Sequence, residues 1–421
     1  MYNFEALKDK DRLEMLNKIG VKSIEELYDA IPENVKMTSL DLNCQNNEIK
    51  AQKELKKIAS ENKTDYLCFL GQGARKRYVP AVIEDVASRF EFLSCYTPYQ
   101  AEISQGSLEI MYEFQSLMCT LTNQDVSNAS VYDGASAAAE AILMASRLTK
   151  NKKVFVYDDI NPKYSEVIKT YLWANNIELI IGKECSCNDL CAKVYQTPNK
   201  YGEIVDMPQK NAKELIISIV DLFSLALMEP PKSDITVGDI QQLGIPLNFG
   251  GAYAGFIACR DEYKRQLPGR ISGKTVDKNG KTAYCLTLQA REQHIRREKA
   301  TSNICSNQAL IAFCANLYLR YTGKSGFIEL AEKSYKNAHN LANKLKEAGF
   351  EILNNDFFDE FTIDVGFSDK FLEFMKSKNI LAGCKIDNSK ILVSVSELND
   401  EIEINEYVSA AKNLSPIRIA R

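Results

Sequence analysis

The chain has few of the residues that usually mark metal-dependent or membrane proteins. Its 421 residues include one tryptophan and two histidines, His294 and His339, so few imidazoles can ligate a metal or relay protons. No apolar run reaches the roughly 20 residues that a membrane-spanning helix needs, and the densest one, 215–228, is interrupted by Asp221. Lysine is absent from 233–263, so that stretch offers no amine as a covalent tether.

Composition indicates a globular protein of ordinary character. A hydrophobic share of 45%, a charged share of 26% and a net charge of −4 fit a soluble chain of about two to three domains. We expect neither nucleic acid, which would favour a basic face, nor a membrane as partner. Residues 1–5 lack the basic and apolar parts of a signal peptide, so a cytoplasmic location is expected.

The twelve cysteines have no framework spacing, which favours reduced thiols over structural disulfides. Cys185, Cys187 and Cys191 form the one cluster that could bind a metal, but no histidine lies near them and such sites usually need four protein ligands. A polar surface loop is the favoured interpretation, and no metal site is predicted.

The pattern predicts three parts. Residues 1–64 are helical, with periodic apolar residues near 11–20 and 47–62. Residues 65–325 alternate helical patterns with short apolar runs at 154–157, 178–181, 216–220 and 255–259, which favours a mainly parallel sheet covered on both faces. Residues 326–421 begin with a long amphipathic helix, predicted at 327–348, and form a smaller α+β domain. The fold class is α/β.

Three segments could carry chemistry, and each has a plainer alternative. The helix that begins near Gly134 and Ser136 could bind phosphate through its free amides, or could simply be capped and packed on the sheet. Asp221 ends a strand and could face a ring nitrogen, or could belong to a turn. The polar loop 96–106 could line a site, or could be a surface turn.

A charged stretch at 289–305 completes this set. It could contact anions through arginine or through Thr301 and Asn303, or could be a solvated segment rich in ion pairs. His294 has no partner at a recognisable catalytic spacing and is interpreted as structural.

Several of these strings together resemble the glycine dehydrogenase (decarboxylating) family, and specifically subunit 1 of the two-chain form of the glycine cleavage P-protein. The resemblance covers nearly the whole chain. The strings that carry it are IGVKSIEEL at 19–27, YTPYQAEISQG at 96–106, NASVYDGA at 128–135, LGIPLNFGG at 243–251, LPGRI at 267–271 and LQAREQHIRREKATSNIC at 288–305.

The resemblance implies an aminotransferase-like large domain, that of fold type I enzymes dependent on pyridoxal phosphate. In such enzymes a strand-end aspartate, here Asp221, faces the pyridine nitrogen, and a lysine after the next strand holds the cofactor. That lysine is missing here, and in split members of the family it belongs to subunit 2. The implied reaction is the decarboxylation of glycine on pyridoxal phosphate and transfer of the aminomethyl group to the lipoyl arm of H-protein. The implied assembly is a heterotetramer of two heterodimers.

The resemblance also implies roles for residues. The predicted lining of the partner's glycine site consists of Tyr96, Thr97, Tyr99, Gln100, Glu102 and Gln105. Thr301 and Asn303 would touch the phosphate of the cofactor that subunit 2 holds. Ser136, Asn161 and Asp221 would form a vestigial cofactor pocket, and no catalytic residue is expected to act on this chain alone.

Departures from the family pattern leave alternatives open. Asn161 stands where the family usually has histidine, Leu222 stands where it has proline after the aspartate, and 187–215 is short. The chain could therefore be an inactive scaffold or regulatory paralogue. A third hypothesis, an independent enzyme that uses Lys274 or Lys299, is disfavoured because neither lysine follows the expected strand.

Overall fold

The computed structural model describes residues 7–37, 47–94, 96–210, 214–304 and 307–414. Its internal contacts divide the chain into two units, Met1–Thr64 and Asp65–Arg421. In the part of the first unit that the structure describes, there are two α-helices, α1 (Asp9–Ile19) and α2 (Glu48–Ser60). Gly20 ends α1 in the left-handed region at φ 91°, which glycine adopts without steric cost. The Asn47 side chain caps α2 by accepting from the backbone N of Lys50.

Within its described residues the second unit contains fifteen strands, most of them short. They are β1 (Leu67–Cys68), β2 (Val126–Ser127), β3 (Lys153–Tyr157), β4 (Glu178–Gly182), β5 (Ala192–Thr197), β6 (Leu215–Val220), β7 (Ile235–Asp239), β8 (Gly255–Cys259), β9 (Ile271–Val276), β10 (Thr282–Thr287), β11 (Glu351–Ile352), β12 (Glu360–Asp364), β13 (Ile380–Leu381), β14 (Cys384–Lys385) and β15 (Lys390–Ser394).

Its helices lie mostly between strands. They are α3 (Ala81–Ala87), α4 (Phe90–Leu93), α5 (Gln105–Thr122), α6 (Gly134–Thr149), α7 (Pro162–Ala174), α8 (Gln293–Arg296), α9 (Ala309–Glu347), α10 (Ser368–Ser377) and α11 (Glu401–Ala411).

Seven strands form the central sheet in the order β2-β8-β7-β6-β5-β3-β4. The five strands from β7 to β4 are parallel, and β8 runs antiparallel to both of its neighbours. All six residues of β6 are buried, as expected where helices cover both faces of a parallel sheet. The predicted mainly parallel sheet is therefore present, and the four strands predicted from apolar runs occur within one residue of their expected ends.

Small side chains allow α6 to lie close to this sheet. The helix begins GASAAAEA, and eleven of its sixteen residues are buried. Ala137, Ala138 and Ala141 join the same apolar core as Val154 and Ile217 on the strands. This packing fixes the amino end of α6 at the edge of the sheet where the parallel strands end.

A second sheet lies in the C-terminal part of the chain. It has the order β11-β12-β15-β14, with all pairs antiparallel. β1 pairs with β13, and Phe69 is fully buried in the core that these strands share with α9, α10 and α11. Residues just after 65 therefore pack with the C-terminal part.

The long helix α9 differs from the prediction. It was expected to begin at Phe327 but begins at Ala309, and it crosses the predicted domain boundary at 325. Gly323 has non-helical backbone at φ 62° and ψ −179°, so two helical stretches meet there at a kink. The apolar residues before Gly323 also have helical spacing. The prediction missed this part of the helix because it placed the domain boundary at 325, beside Gly323.

The connection from β5 to β6 has no helix in its described residues, 198–210 and 214. Instead the backbone N of Ile204 donates to the carbonyl oxygen of Asp356. The segment 187–215, short by sequence, thus crosses between parallel strands along the C-terminal part of the chain.

The described residues contain neither a membrane-spanning helix nor a metal-binding cluster. No helix there is both long and apolar enough to cross a membrane, and no group of three or more His, Cys, Asp or Glu side chains there could hold a metal ion. Cys185 and Cys187 are paired as a disulfide, with Cα atoms 5.3 Å apart. The expectation of reduced thiols was wrong for these two residues.

Candidate functional site

A cleft opens where the parallel strands end, facing the C-terminal part of the chain. Its cavity has a volume of about 360 Å³. The residues that line it come mainly from the ends of β5, β6 and β7, the segment 198–200, the starts of α6 and α7, the loop 72–75 and Asp359–Glu360. Ligands of open α/β sheets usually bind outside the carboxyl ends of the strands. This cleft is therefore at the position where such a fold usually binds its ligand.

Asp221 lies in this cleft directly after β6 and is already paired. Its carboxylate accepts from the guanidinium of Arg75 and from Gln242 Nε2 at 2.6 Å, and its other oxygen accepts from the backbone N of Ser224 at 3.0 Å. Burial alone would raise the pKa of Asp221, but the guanidiniums of Arg75 and Arg77 outweigh burial and lower it. Asp221 is therefore an ionised partner of an internal arginine.

The arginines extend this pairing into a buried network. Arg75 also donates to Asp359, and Arg77 donates to Asp359 and, at 2.9 Å, to Glu397. The side chains of Arg77 and Glu397 are only 1% and 2% exposed. Because Asp221 belongs to the central sheet and Asp359 and Glu397 to the C-terminal part, the network joins the two walls of the cleft.

The amino end of α6 is occupied by carboxylates of the chain itself. Asp133 accepts from Ser136 N at 2.7 Å and from Ser136 Oγ at 3.1 Å, and Asp239 accepts from Gly134 N at 3.1 Å. Burial, together with the charge of Asp133, raises the pKa of Asp239 to about 6. Two of the amides that would hold an external anion at a helix N-terminus, those of Gly134 and Ser136, are thus used internally.

Asn161 lies at the start of α7 and is 5% exposed. Its Oδ1 accepts from the backbone N of Lys163 and its Nδ2 donates to the carbonyl oxygen of Gln72, both at 2.9 Å. It caps a helix and holds the loop at 72. The structure therefore places Asn161 and Asp221 in one cleft, whereas Ser136 does not line it and donates its hydroxyl to Asp133.

Lysines approach the cleft from unexpected positions. None lies in the loop between Asp239 and Gly255, whereas Lys163 and Lys200 line the cavity. Lys200 donates to the carbonyl oxygen of Asp158. Sequence analysis missed both lysines because neither follows β7. Lys274 and Lys299, considered from the sequence, are exposed and are not among the residues that line this cleft.

The cleft of this chain does not fit pyridoxal phosphate. The aspartate that would face the pyridine nitrogen is paired with Arg75. Two of the amides that would bind the phosphate, those of Gly134 and Ser136, instead donate to Asp239 and Asp133, whose negative charges would repel it. The loop that would carry the tethering lysine has none.

The residues predicted to line a partner's site lie elsewhere in the same unit. Tyr96 is 78% exposed and Tyr99 is 51% exposed. Gln100 and Glu102 are exposed, and Thr97 and Gln105 are half-buried. A short 3-10 turn, Ala101–Ile103, lies within this segment, and α5 begins at Gln105. Much of the loop is therefore accessible, and its role at a partner's site stays a prediction.

Gln105 is the exception within this loop. Its side chain donates to the carbonyl oxygen and accepts from the backbone N of Tyr284 on β10, each at 2.9 Å. It also donates to the carbonyl oxygen of Ala101 at 2.6 Å. The amide is fully used in fixing the start of α5 against β10, a positioning contact that the loop composition did not reveal.

Three of the strings that carry the family resemblance meet beside Tyr99. The Tyr99 and His294 rings are 5.3 Å apart, and Arg270 Nη2 donates to Tyr99 Oη at 3.3 Å. Arg270 also donates to Asn307 Oδ1 at 3.3 Å. Segments from 96–106, 267–271 and 288–304 thus form one surface, while Cys305 lies outside the described residues.

Thr301 and Asn303 line a different depression. It has a volume of about 670 Å³ and lies between the 297–303 segment and the helices α6 and α7. Thr301 is half-buried and Asn303 is exposed. The structure does not bring these two residues into the cleft described above.

Comparisons with known proteins now identify the family. The model of the family "Glycine cleavage system P-protein" matches residues 4–410. The chain belongs to this family. A curated relative from Listeria monocytogenes, "Probable glycine dehydrogenase (decarboxylating) subunit 1", is 40% identical over 97% of this chain and 98% of its own length. The protein of the same description from Thermotoga maritima is 44% identical over 90% of this chain and 91% of its own.

Solved structures confirm the fold. The chain resembles the crystal structure of "glycine decarboxylase (P-protein) of the glycine cleavage system, in inhibitor-bound form" with a TM-score of 0.92 and 34% identity, over 98% of this chain and 100% of that one. A glutamate decarboxylase from Lactobacillus brevis shares the fold at a TM-score of 0.65 and 12% identity, over 92% and 97% of the two chains. The predicted family and the fold type I architecture, that of enzymes dependent on pyridoxal phosphate, are both confirmed.

Proposed function

We propose that this chain is subunit 1 of a two-chain glycine cleavage P-protein. With a subunit 2 partner it decarboxylates glycine and passes the aminomethyl group to the lipoyl arm of H-protein. The observation that carries the proposal is the combination of a full-length match to this family with a cleft whose cofactor-binding groups are already paired internally.

Pyridoxal phosphate would then be held covalently by subunit 2 and not by this chain. When bound, this cofactor acts as an electron sink for the bond that breaks at the α-carbon of an amino acid. The partner would supply the lysine that is missing between Asp239 and Gly255.

The role of this chain would be to complete the partner's pocket. Tyr96, Tyr99 and Glu102 are exposed side chains on one loop, and Arg270 and His294 hold the Tyr99 ring from within the chain. A preorganised phenol and carboxylate at the mouth of a pocket would orient glycine and exclude water. Thr301 and Asn303 would contact the phosphate group, and two heterodimers would form the assembly.

A second candidate is an inactive scaffold or regulatory paralogue of that subunit. The specific observation that favours it is the connection from β5 to β6, which contains no helix in its described residues. Such a chain would bind subunit 2 without supporting turnover.

Co-expression with a subunit 2 partner tests the proposal. The purified complex should exchange labelled bicarbonate with the glycine carboxyl group, because decarboxylation is reversible on the enzyme, whereas the chain alone should not. An assembled complex with no exchange would favour the scaffold. Exchange by the isolated chain, together with absorbance from a bound cofactor, would contradict both candidates.

A further inference from the structure

A buried arginine lies behind the half-exposed ring of Tyr99. Arg270, which is 5% exposed, donates from Nη2 to Tyr99 Oη and from Nη1 to Asn307 Oδ1, each at 3.3 Å. Its guanidinium carbon is 5.5 Å from the centre of the Tyr99 ring. One acceptor is a phenol and the other an amide, and no carboxylate among the described residues forms an ion pair with Arg270. Buried charges are normally paired, so Arg270 keeps an uncompensated positive charge beside the phenol oxygen.

The backbone around Arg270 is fixed to the central sheet. Its carbonyl oxygen accepts from the backbone N of Ala129 at 2.8 Å. Asn307, the other acceptor of the guanidinium, donates through Nδ2 to the carbonyl oxygen of Ala129. Two residues further on, the backbone N of Val131 donates to the carbonyl oxygen of Gly255 on β8 at 2.8 Å. The guanidinium is therefore held by backbone that is paired with the sheet, and not by the loop that contains the phenol.

The contact with Arg270 determines where the Tyr99 hydroxyl can donate. A guanidinium has donors only, so the phenol oxygen uses a lone pair toward Arg270 and directs its own proton elsewhere. Within the part of the chain that the structure describes, no acceptor takes that proton. Because Tyr99 is 51% exposed, the proton is available to an acceptor that approaches from outside the chain.

The charge of Arg270 indicates which acceptor fits this surface. Glycine has one strong hydrogen-bond acceptor at neutral pH, its carboxylate, since its ammonium group only donates. A carboxylate that accepts from Tyr99 Oη would also lie near the guanidinium, and hydrogen bonds to charged groups are stronger than those between neutral groups. An anionic acceptor therefore fits better than a neutral or cationic one.

We propose that Arg270 is a positioning residue that orients Tyr99, so that the phenol donates a hydrogen bond to the carboxylate of glycine in the site of subunit 2. Arg270 acts through Tyr99 and does not itself contact glycine. This inference rests on the proposed function and deepens it, because it assigns one loop residue its acceptor on the substrate.

Bicarbonate exchange by the complex with subunit 2 tests the proposal. Tyr99→Phe removes the hydroxyl and keeps the ring, and Arg270→Met removes the guanidinium and keeps an unbranched side chain. Each should raise the KM for glycine at least about tenfold and leave kcat within about threefold of the native value, because the lost contact favours binding. General damage to the fold would instead lower the number of competent complexes, so a loss confined to kcat would overturn the proposal.

The double variant shows whether Arg270 acts through the hydroxyl. Adding Arg270→Met to Tyr99→Phe should raise KM by no more than about twofold further, because residues that act through one contact are not additive. Two effects that multiply fully would mean that the residues act independently, which contradicts the proposal.

Arg260→Met is the matched control for the loss of a guanidinium. Arg260 follows β8 and also donates through Nη1 to a neutral acceptor, the carbonyl oxygen of Asn123, at 2.9 Å. Its KM and kcat should stay within about twofold of the native values, and a melting curve of each isolated variant chain verifies folding. A KM raised as much by Arg260→Met as by Arg270→Met would refute the specific role of Arg270.

A spectroscopic readout does not depend on turnover. Fluorotyrosine placed at position 99 of the isolated full chain should give a fluorine NMR resonance that shifts with Arg270→Met and does not shift with Arg260→Met. A resonance that Arg270→Met leaves unchanged would exclude the contact and with it the proposal. A native complex without exchange would contradict the proposed function but would not alter this spectrum, so the two failures are distinguishable.

Discussion

The guanidinium of Arg75 donates to the carboxylate of Asp221 across 146 positions of sequence. Asp221 ends a strand of the central sheet, and Arg75 also donates to Asp359 just before a strand of the second sheet. One arginine thus neutralises the aspartate that would face a pyridine nitrogen and also joins the two walls of the cleft.

Removal of that arginine should destabilise the chain strongly. Arg75→Met removes the guanidinium that pairs with both Asp221 and Asp359 and leaves their carboxylates buried. The loss of one partner of a buried ion pair lowers the free energy of unfolding by about 3–5 kcal/mol. Urea unfolding followed by circular dichroism measures the loss.

Arg89→Met is the matched control for this substitution. Arg89 pairs with Asp85 at 3.5 Å, with side chains 57% and 73% exposed, so its loss should cost no more than about 1 kcal/mol. If both variants unfold at the same urea concentration, Arg75 is not a structural cation.

Local patterns in the sequence were sufficient to predict the elements of the sheet but not the chemistry of the cleft. The apolar run at 216–220 predicts β6 because a central parallel strand is buried on both faces. Gly20 predicts the end of α1 because glycine readily adopts the left-handed backbone conformation that ends a helix. The pairing of Arg75 with Asp221 depends on the tertiary fold, and nothing near either residue in the sequence indicates the other.

The same reason explains what was missed at the amino end of α6. Gly134 and Ser136 predict a helix start that could bind an anion, and the helix does start there. Asp239, which occupies that start, comes from the end of β7, 105 positions away from Gly134. Sequence proximity indicates Asp133 as a cap but gives no sign of the second carboxylate.

Asp239 should lower the stability of the folded chain at neutral pH. Because burial raises its pKa from 3.8 to about 6, the folded state binds its proton more tightly than the unfolded state does. The contribution of Asp239 to the free energy of unfolding therefore falls as pH rises from about 4 to about 6, where the folded chain loses this proton. Asp239→Asn removes this cost of about 3 kcal/mol at pH 7.

The net effect of Asp239→Asn should be a gain of about 1–2 kcal/mol at pH 7, because the asparagine loses one acceptor oxygen, worth about 1 kcal/mol. The gain should disappear as pH falls toward about 4, where Asp239 is protonated in both states. Urea unfolding of native and variant chains across this pH range measures it. The difference in unfolding free energy, variant minus native chain, should therefore be larger at pH 7 than at pH 4. A smaller difference at pH 7 than at pH 4 would exclude this account.

Gly134 should be intolerant of any side chain. A β-carbon there would contact the hydroxyl of Tyr164 and lie 2.8 Å from the backbone N of Asp239. Gly134→Ala therefore displaces the start of α6 or the end of β7, and we expect a loss of about 2–4 kcal/mol, comparable with severe overpacking in a core. Thermal unfolding checks the size of this loss.

Two further variants separate the steric effect from the general effect of alanine. A β-carbon at Gly106, in the first turn of α5, would have nothing within 4 Å, so Gly106→Ala should be neutral or stabilise by up to about 1 kcal/mol. Adding Tyr164→Phe to Gly134→Ala should recover part of the stability, because it removes the hydroxyl in the closest contact. A double variant no more stable than Gly134→Ala alone would show that the backbone of Asp239 is the decisive contact.

The surface around Tyr99 should govern the activity of the complex and not its assembly. Tyr99→Ala removes a phenol that is 51% exposed and is held by Arg270 and His294. If this ring orients glycine in the partner's pocket, its loss should lower bicarbonate exchange about tenfold or more, while the complex still elutes at its native size. Glu102→Ala should act in the same direction.

Tyr321→Ala is the matched control, since Tyr321 is 57% exposed on α9. The exchange rate of the complex with this variant should stay within about twofold of the native rate. An assembled Tyr99→Ala complex with the native exchange rate would remove this loop from the reaction site.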